Sequence, residues 1–275
     1  MKGLAVGALA LAGLLLAPDE MPAARADTPA AADGAPTALS YQIYFGGFKA
    51  LAFEVEIGLS RDAYQLRLRG HTEGVVDWIL DWTTEATTQG LVADGGLRPL
   101  RHSSESLLRG NRRDAALAFH PDGAIDTTVE PSAEADEREP VTAAEARGAF
   151  DPISAILIAS RALGAQQSCD QRLPVYDGRR RYDLEFRDGG RELLKPSEYS
   201  SFSGEATLCL FRYIRIAGYQ KSGGRWSNPR DVDRVYRAWL APVAPGLPPL
   251  PVRIEAEGTF GDLIVHLVGT RRPEG

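Results

Sequence analysis

The chain has 275 residues, a formal net charge of −6 and two cysteines. This length supports one large domain or two small ones, and β-rich domains often reach it as a single unit. The acidic balance argues against nucleic-acid partners, because binding phosphates requires a basic surface. Beyond the first 26 residues, no segment offers about 18 consecutive apolar residues, so no later membrane span is expected.

The first 26 residues have the pattern of a secretory signal peptide. Lys2 supplies the positive start, and residues 3–17 form an uncharged apolar run that is too short for a comfortable membrane span. Ala24-Arg25-Ala26 fits the small-residue cleavage rule. We therefore expect cleavage before Asp27 and export to the periplasm.

The rest of the chain is predicted to form a lead-in followed by one domain. Residues 27–38 are small and rich in proline and glycine, which predicts disorder. Residues 39–270 carry short stretches of alternating apolar and polar residues, which is typical of antiparallel strands with one wet face. Inside this β-rich domain, residues 130–147 carry six acids and two arginines, which predicts a solvated loop.

The alternation is interrupted first at residues 75–82, where apolar residues crowd together in one or two predicted helical turns. Trp78 and Trp82 lie close together here, so they are candidates for the lip of an apolar cleft or for a membrane-facing patch. The alternative is an ordinary crossover within the core, where aromatic clusters are most often found.

A second interruption, at residues 151–163, predicts a largely buried helix. Asp151 can cap its first turn, Pro152 suits the first helical position, and Gly164 is a natural stop. A helix that is apolar nearly all round is buried on most sides. It could plug a core or line an apolar ligand cavity, in which case Ile156 would contact the ligand.

The strand after this helix places apolar and charged residues on opposite faces. Tyr182, Leu184 and Phe186 share one face, and extending the register backwards puts Arg180 on that face too. A guanidinium keeps its charge, so Arg180 would need Asp177, an exposed tip or a ligand anion. Arg180 and Tyr182 are therefore candidate ligand-binding residues.

The two cysteines, Cys169 and Cys209, predict a disulfide, since an even cysteine count in an exported chain makes pairing the default. Metal binding is the weaker alternative, because two cysteines without a nearby histidine make half a zinc site. The four histidines are not at metal-ligand spacing and are expected to be isolated at the surface; they are His71, His102, His120 and His266. We predict no metal or cofactor, and no familiar catalytic pattern is present.

Several segments together resemble the exported bacterial family catalogued as domain of unknown function 3108. They are Tyr41-Gln-Ile-Tyr-Phe-Gly-Gly, Asp151-Pro-Ile-Ser-Ala, Cys169-Asp, Val175-Tyr-Asp-Gly-Arg-Arg-Arg-Tyr, Cys209 and Leu250-Pro-Val-Arg-Ile. The likeness covers about residues 39 to 270. It implies a periplasmic, mostly antiparallel β protein with Cys169 paired to Cys209, and it brings no established activity.

These patterns predict a mainly β fold, a strongly curved or half-barrel antiparallel sheet around one buried apolar helix. The leading hypothesis is a non-enzymatic envelope protein that binds a lipid or other amphipathic ligand in the concave face. One alternative is a structural or assembly factor that uses its proline-rich connector and acidic loop to contact envelope proteins. Another is a hydrolase of unrecognised type.

Overall fold

The computed structural model describes residues 36–93, 96–131, 139–219, 234–257 and 261–272, so the predicted signal peptide lies outside the described residues. Within the described part the chain forms thirteen strands and three helices. The strands are β1 Thr37–Phe45, β2 Phe48–Leu59, β3 Ala63–Thr72, β4 Trp82–Ala93, β5 Gly96–Leu108, β6 Asn111–Phe119, β7 Ile125–Glu130, β8 Gln171–Tyr176, β9 Arg181–Leu194, β10 Gly204–Ala217, β11 Tyr236–Ala241, β12 Leu250–Ala256 and β13 Leu263–Arg271. The helices are α1 Gly74–Leu80, α2 Ala143–Ala146 and α3 Pro152–Gln166.

All thirteen strands belong to one antiparallel sheet, in the order β7-β6-β5-β4-β3-β2-β1-β13-β12-β11-β10-β9-β8. Two meanders, β1 to β7 and β8 to β13, join where the first and last strands pair, as in Ala38 opposite Arg271. The sheet is not closed, since β7 and β8 are its edges. The predicted fold class, a curved or half-barrel antiparallel sheet, is confirmed.

The alternation of strand direction places several connections at one end of the sheet. The β1–β2 hairpin, α1, the β5–β6 turn and the β8–β9 turn all lie there, because each follows a strand that runs toward that end. The backbone N–H of Gly46 donates to the carbonyl of Asp262 at 3.0 Å, which ties the β1–β2 hairpin to the β12–β13 connection. We call this the α1 end of the sheet.

The β8–β9 turn brings the two sheet edges close together without a ladder between them. Gly178 has a φ of +90°, and a Cβ there would lie 2.9 Å from the Ala115 side chain of β6, so only glycine fits this approach. The guanidinium of Arg179 donates to the carbonyls of Glu130 at 2.7 Å and Pro131 at 3.0 Å. These contacts draw β6 and β7 toward the second meander.

The gap between the edges is filled by residues that were expected to be loop. Thr142 and Glu145 form a capping box that starts α2, and Ala146 is buried against Leu117 and Tyr176. The part of the acidic loop at residues 132–138 lies outside the described residues. The loop prediction is therefore wrong for residues 143–146. They form a short helix because Ala146 is small enough to pack between β6 and β8.

Helix α3 begins as predicted but ends later. The carboxylate of Asp151 accepts the backbone N–H of Ser154 at 2.9 Å, and Pro152 occupies the first turn. The helix continues through Gly164 to Gln166, and Gln167 adopts the left-handed conformation that ends it. Gly164 instead permits close packing, since a Cβ there would lie 3.1 Å from Pro249 of the proline-rich connector.

Helix α3 packs against buried residues of the second meander. Ala155, Ala159 and Leu163 of the helix pack with strand residues such as Leu184 and Leu240. The predicted disulfide between Cys169 and Cys209 is present, which joins the segment after α3 to β10. Among the described residues, no helix has both the length and the apolar character needed to cross a membrane.

Candidate functional site

An apolar cavity of about 220 Å³ lies between α3 and the inner faces of strands from both meanders. The sheet side combines neighbouring strands β1, β2, β3, β12 and β13, so the site exists only where the first and last strands of the chain meet. Its aliphatic and aromatic lining residues are Leu39, Tyr41, Ile43, Phe53, Val55, Ile57, Leu66, Leu68, Ile153, Ile156, Leu157, Leu250, Ile254 and Val265.

The one hydroxyl among these lining side chains is already paired within the protein. Tyr41 donates its hydroxyl to the backbone carbonyl of Pro251 at 3.0 Å. Burial raises the pKa of Tyr41 well above its ordinary value, so the phenol stays neutral. Arg67 also borders the cavity, and its guanidinium lies 3.9 Å from Glu56 and 3.6 Å from Glu85. The rest of the lining presents hydrocarbon, so an occupant is recognised mainly by shape and apolar contact.

Two consecutive residues of α3 show how the cavity is made. Leu157 is 2 % exposed and packs into the core with Leu39 and Leu66. Ile156, one position earlier, is 46 % exposed although its helix is covered by the sheet. Ile156 lines the cavity, so its exposed side chain borders this open space.

The cavity extends from α3 toward the α1 end of the sheet. Leu39 and Ile57 pack near the helix, whereas Ile43 and Phe53 lie further along β1 and β2, close to their hairpin. The ring of Phe53 lies flat over Gly70, where a Cβ would approach it to 2.4 Å. A larger residue at position 70 would therefore push Phe53 into the cavity.

The two tryptophans proposed from the sequence lie at this same end. The Trp82 ring contacts Phe53, with ring centroids 5.9 Å apart, so it is the neighbour of a residue that lines the cavity. Trp78 lies on α1 and is 91 % exposed. The interpretation of residues 75–82 as a crossover buried in the core is wrong, because α1 has no buried residue.

Arg180 and Tyr182 take up positions away from the cavity lining. Arg180 lies in the β8–β9 turn with an exposed side chain, so the expected inward orientation is wrong. Asp177 accepts the backbone N–H groups of Arg179 and Arg180 at 2.9 and 2.6 Å, which takes Arg180 off the strand register. Tyr182 is buried in the wall beside Tyr213, with ring centroids 5.3 Å apart. Ligand contact by either residue stays a prediction.

A buried polar network fixes the start of α3 against the first meander. The Thr88 hydroxyl donates to Asp151 Oδ1 at 2.8 Å, and His102 Nδ1 lies 2.8 Å from that hydroxyl and 3.3 Å from the same carboxylate oxygen. The hydroxyls of Tyr64 and Ser154 are 2.8 Å apart. All five side chains are buried.

The network stabilises the ionised form of Asp151. Burial by itself raises the pKa of this carboxyl, but the hydrogen bond and charge of His102 and the bonds from Ser154 outweigh it, and the pKa lies below its ordinary value. Sequence reasoning missed this cluster, since His102 and His266 were expected at the surface and both are buried. His102 sits among polar residues of β5, where nothing in the local pattern marks a buried face.

The sequence matches the model of a family described as protein of unknown function (DUF3108) over residues 40–268. The chain belongs to this family. The match confirms the likeness found in the segments around Tyr41, Asp151 and the two cysteines. No curated protein matches the chain.

Two solved structures are similar in fold. One is the crystal structure of a beta-barrel-like protein of domain of unknown function DUF1849 from Brucella abortus, with 11% identity and a TM-score of 0.51, covering 87% of this chain and 98% of that one. The other is a candidate lipoprotein from Parabacteroides distasonis, with 9% identity and a TM-score of 0.30, covering 86% and 95%. The first likeness concerns the fold alone.

Proposed function

We propose that this protein binds the hydrocarbon part of a lipid or similar amphipathic molecule in the cavity above α3, without catalysing a reaction on it. The observation that carries the proposal is the exposure of Ile156 in a largely apolar cavity. A helix enclosed by a sheet normally buries such a side chain completely. Leaving it uncovered costs stability that an apolar occupant would restore.

The volume indicates what part of a ligand enters. At about 220 Å³ the cavity exceeds an engineered apolar cavity of about 150 Å³ that stays dry and binds benzene. It is smaller than the roughly 300–1,000 Å³ typical of sites that enclose a whole drug-sized molecule. One acyl chain or one ring system is therefore the occupant that fits, with the polar part of the ligand left toward the α1 end.

The disulfide and the sequence support an envelope location for this activity. Disulfides such as Cys169–Cys209 persist in oxidising compartments, which fits an exported protein. With the predicted signal peptide removed before Asp27, we place the mature protein in the periplasm. In that aqueous compartment, an apolar cavity would shield the hydrocarbon part of a lipid from water.

The assembly-factor alternative has less support. Its proposed contact surface, the proline-rich connector, packs against α3 at Gly164, with Pro249 as the nearest neighbour. Part of the connector is therefore used to cover the helix. Of its other proposed surface, the acidic loop, residues 132–138 lie outside the described residues.

The test is to fill the cavity and measure binding of a fluorescent polyene fatty acid. Ile156→Trp places a larger side chain in open space, so the fold should tolerate it. Because the indole would occupy the space that the fatty acid needs, we expect the affinity to fall about tenfold or more. Leu193→Trp is the matched control, since Leu193 is 75 % exposed and does not line the cavity. Native mass spectrometry of protein purified from the periplasm supplies the second measurement.

The proposal predicts that lipid co-purifies with the wild type and with Leu193→Trp but is depleted from Ile156→Trp. Equal binding by both variants would place the ligand elsewhere and remove the cavity from consideration. A clean apo mass together with no fatty-acid binding by the wild type would end the lipid hypothesis.

A further inference from the structure

An apolar surface protrudes from the α1 end of the sheet, and three separate parts of the chain build it. We call it the apolar rim and define it by residues of the β1–β2 hairpin, α1 and the β5–β6 hairpin: Phe45, Phe48, Val75, Trp78, Ile79 and Leu108. Each of these side chains is at least 43 % exposed: Leu108 is 43 %, Phe45 44 %, Ile79 56 %, Val75 64 %, Phe48 71 % and Trp78 91 %. Single exposed apolar residues are ordinary, but a contiguous group marks an interaction surface.

The helix in the middle of this rim gains no burial from the fold. α1 has seven residues, six of them uncharged, and none is buried. Isolated helices of this length are marginal in water, because most helical stability in proteins comes from packing an apolar face. α1 is held by its backbone instead, through the Arg109 guanidinium bonded to the carbonyl of Ile79 and the Asp81 carbonyl accepting the N–H of Arg109 at 3.0 Å.

The charges around the rim are of both signs. Lys49, Arg109 and Arg113 flank it with exposed side chains, but Asp77 and Asp81 beside the same helix are exposed as well. Arg112 is ion-paired with Glu105 and Asp114. Contact with a partner at this end therefore depends on the apolar side chains.

The rim is also continuous with the cavity. Trp82 follows α1 directly, and its ring contacts Phe53 of the cavity wall. A molecule that leaves a bilayer under the rim would meet apolar side chains all the way to α3. Tryptophan and phenylalanine are side chains that lie well at the boundary of a lipid bilayer.

We infer that the apolar rim docks onto the surface of a phospholipid bilayer, and so opens the cavity directly to its ligand. The inference rests on the proposed lipid binding for its purpose. Its geometry rests independently on the exposed helix and on the exposed apolar side chains of the two hairpins beside it. Docking is shallow and reversible, since a seven-residue helix and two hairpin tips insert only side chains.

The experiment is co-sedimentation of the full mature chain with vesicles of phosphatidylcholine alone or of phosphatidylcholine with phosphatidylglycerol. We expect binding to both vesicles that persists at high salt, because apolar side chains supply it and salt screens only charges. Trp78→Ser should bind about tenfold more weakly, since an exposed aromatic contributes only when it enters the interface. Leu193→Ser, which removes an exposed leucine away from the rim, should bind like the wild type.

A second readout reports on geometry. Vesicles with brominated acyl chains should quench tryptophan emission of the wild type but not of Trp78→Phe, which keeps the apolar character and loses the reporter. Failure of the wild type to bind either vesicle overturns the inference. Self-association of the wild type that Trp78→Ser abolishes, without vesicle binding, would assign the rim to a second copy of the chain.

These tests can reject the proposed lipid binding and the proposed membrane docking separately. Fatty-acid binding that persists without vesicle binding would remove the docking inference and leave the proposed function standing. Vesicle binding that survives in Ile156→Trp, together with no fatty-acid binding by the wild type, would support docking and reject the cavity as its purpose.

Discussion

Helices α1 and α3 are both strongly apolar, yet the fold treats them in opposite ways. α3 has fifteen residues, a side-chain cap and six buried residues, and it is fixed by a network of five buried polar side chains. α1 has seven residues, no side-chain cap and no buried residue. Hydrophobic composition alone therefore does not distinguish a helix that is buried in the core from one that remains exposed. The distinction depends on whether the sheet covers the helix.

The largest expected effect is at the start of α3. Asp151→Ala removes the helix cap, the acceptor of the Thr88 hydroxyl and the partner of His102, so we expect the free energy of unfolding to fall by about 3–5 kcal/mol. Urea unfolding measures it. Glu198→Ala, which removes an exposed carboxylate, is the control and should stay within about 0.5 kcal/mol. A loss below about 1 kcal/mol for Asp151→Ala would mean that the network does not anchor the helix.

Adjacent residues of α3 allow a sharper test of the same contrast. Leu157→Ala should cost about 2–5 kcal/mol, because it leaves a hole in packed core. Ile156→Ala should cost less than about 1 kcal/mol, because its side chain borders open space. Equal losses in thermal or urea unfolding would show that the cavity is closed in solution.

A pH series tests the charged state of the α3 anchor. The pKa of Asp151 is lowered in the folded protein, so its contribution to stability is complete above the unfolded pKa of about 3.9 and is lost as pH falls through the lower folded value. Asp151→Asn cannot titrate there. The stability difference between wild type and Asp151→Asn should therefore shrink as pH falls from about 5 to about 2, and a constant difference would contradict the ionised carboxylate.

The smallest expected change in stability is at α1. Trp78→Ser should alter the free energy of unfolding by no more than about 0.5 kcal/mol, because the ring contacts solvent. Trp239→Ala provides the contrast at a buried tryptophan, with an expected loss of about 3–5 kcal/mol. If Trp78→Ser unfolded as easily as Trp239→Ala, the rim would be part of the core.

Local patterns were enough for much of the architecture. Alternation predicted the strands because one face of each is buried, and the Asp151-Pro152 pair predicted where α3 begins because capping is a short-range interaction. The two cysteines predicted their own pairing once export was inferred. Helix α1 was also predicted in outline, as one or two turns around Trp78.

Two of the errors have long-range causes, and one has a local cause. Gly164 suggested a helix stop, but Pro249, 85 positions away by their numbers, needed the space that glycine leaves. Arg180 was expected to continue the register of the strand. Asp177 instead accepts its backbone N–H, which holds Arg180 in the turn before the strand begins. His102 gave no local sign of burial, since its partners Thr88 and Asp151 come from β4 and from the start of α3.

What the sequence by itself determined is therefore a curved antiparallel sheet, an apolar helix and a disulfide, because strand alternation, capping and cysteine count act over a few residues or through composition. What only the tertiary structure decided is where the hydrocarbon remains uncovered. The cavity forms because β1 pairs with β13, and the apolar rim because hairpin tips from distant positions meet beside α1. Solvent exposure depends on contacts between distant segments, and a local pattern does not encode it.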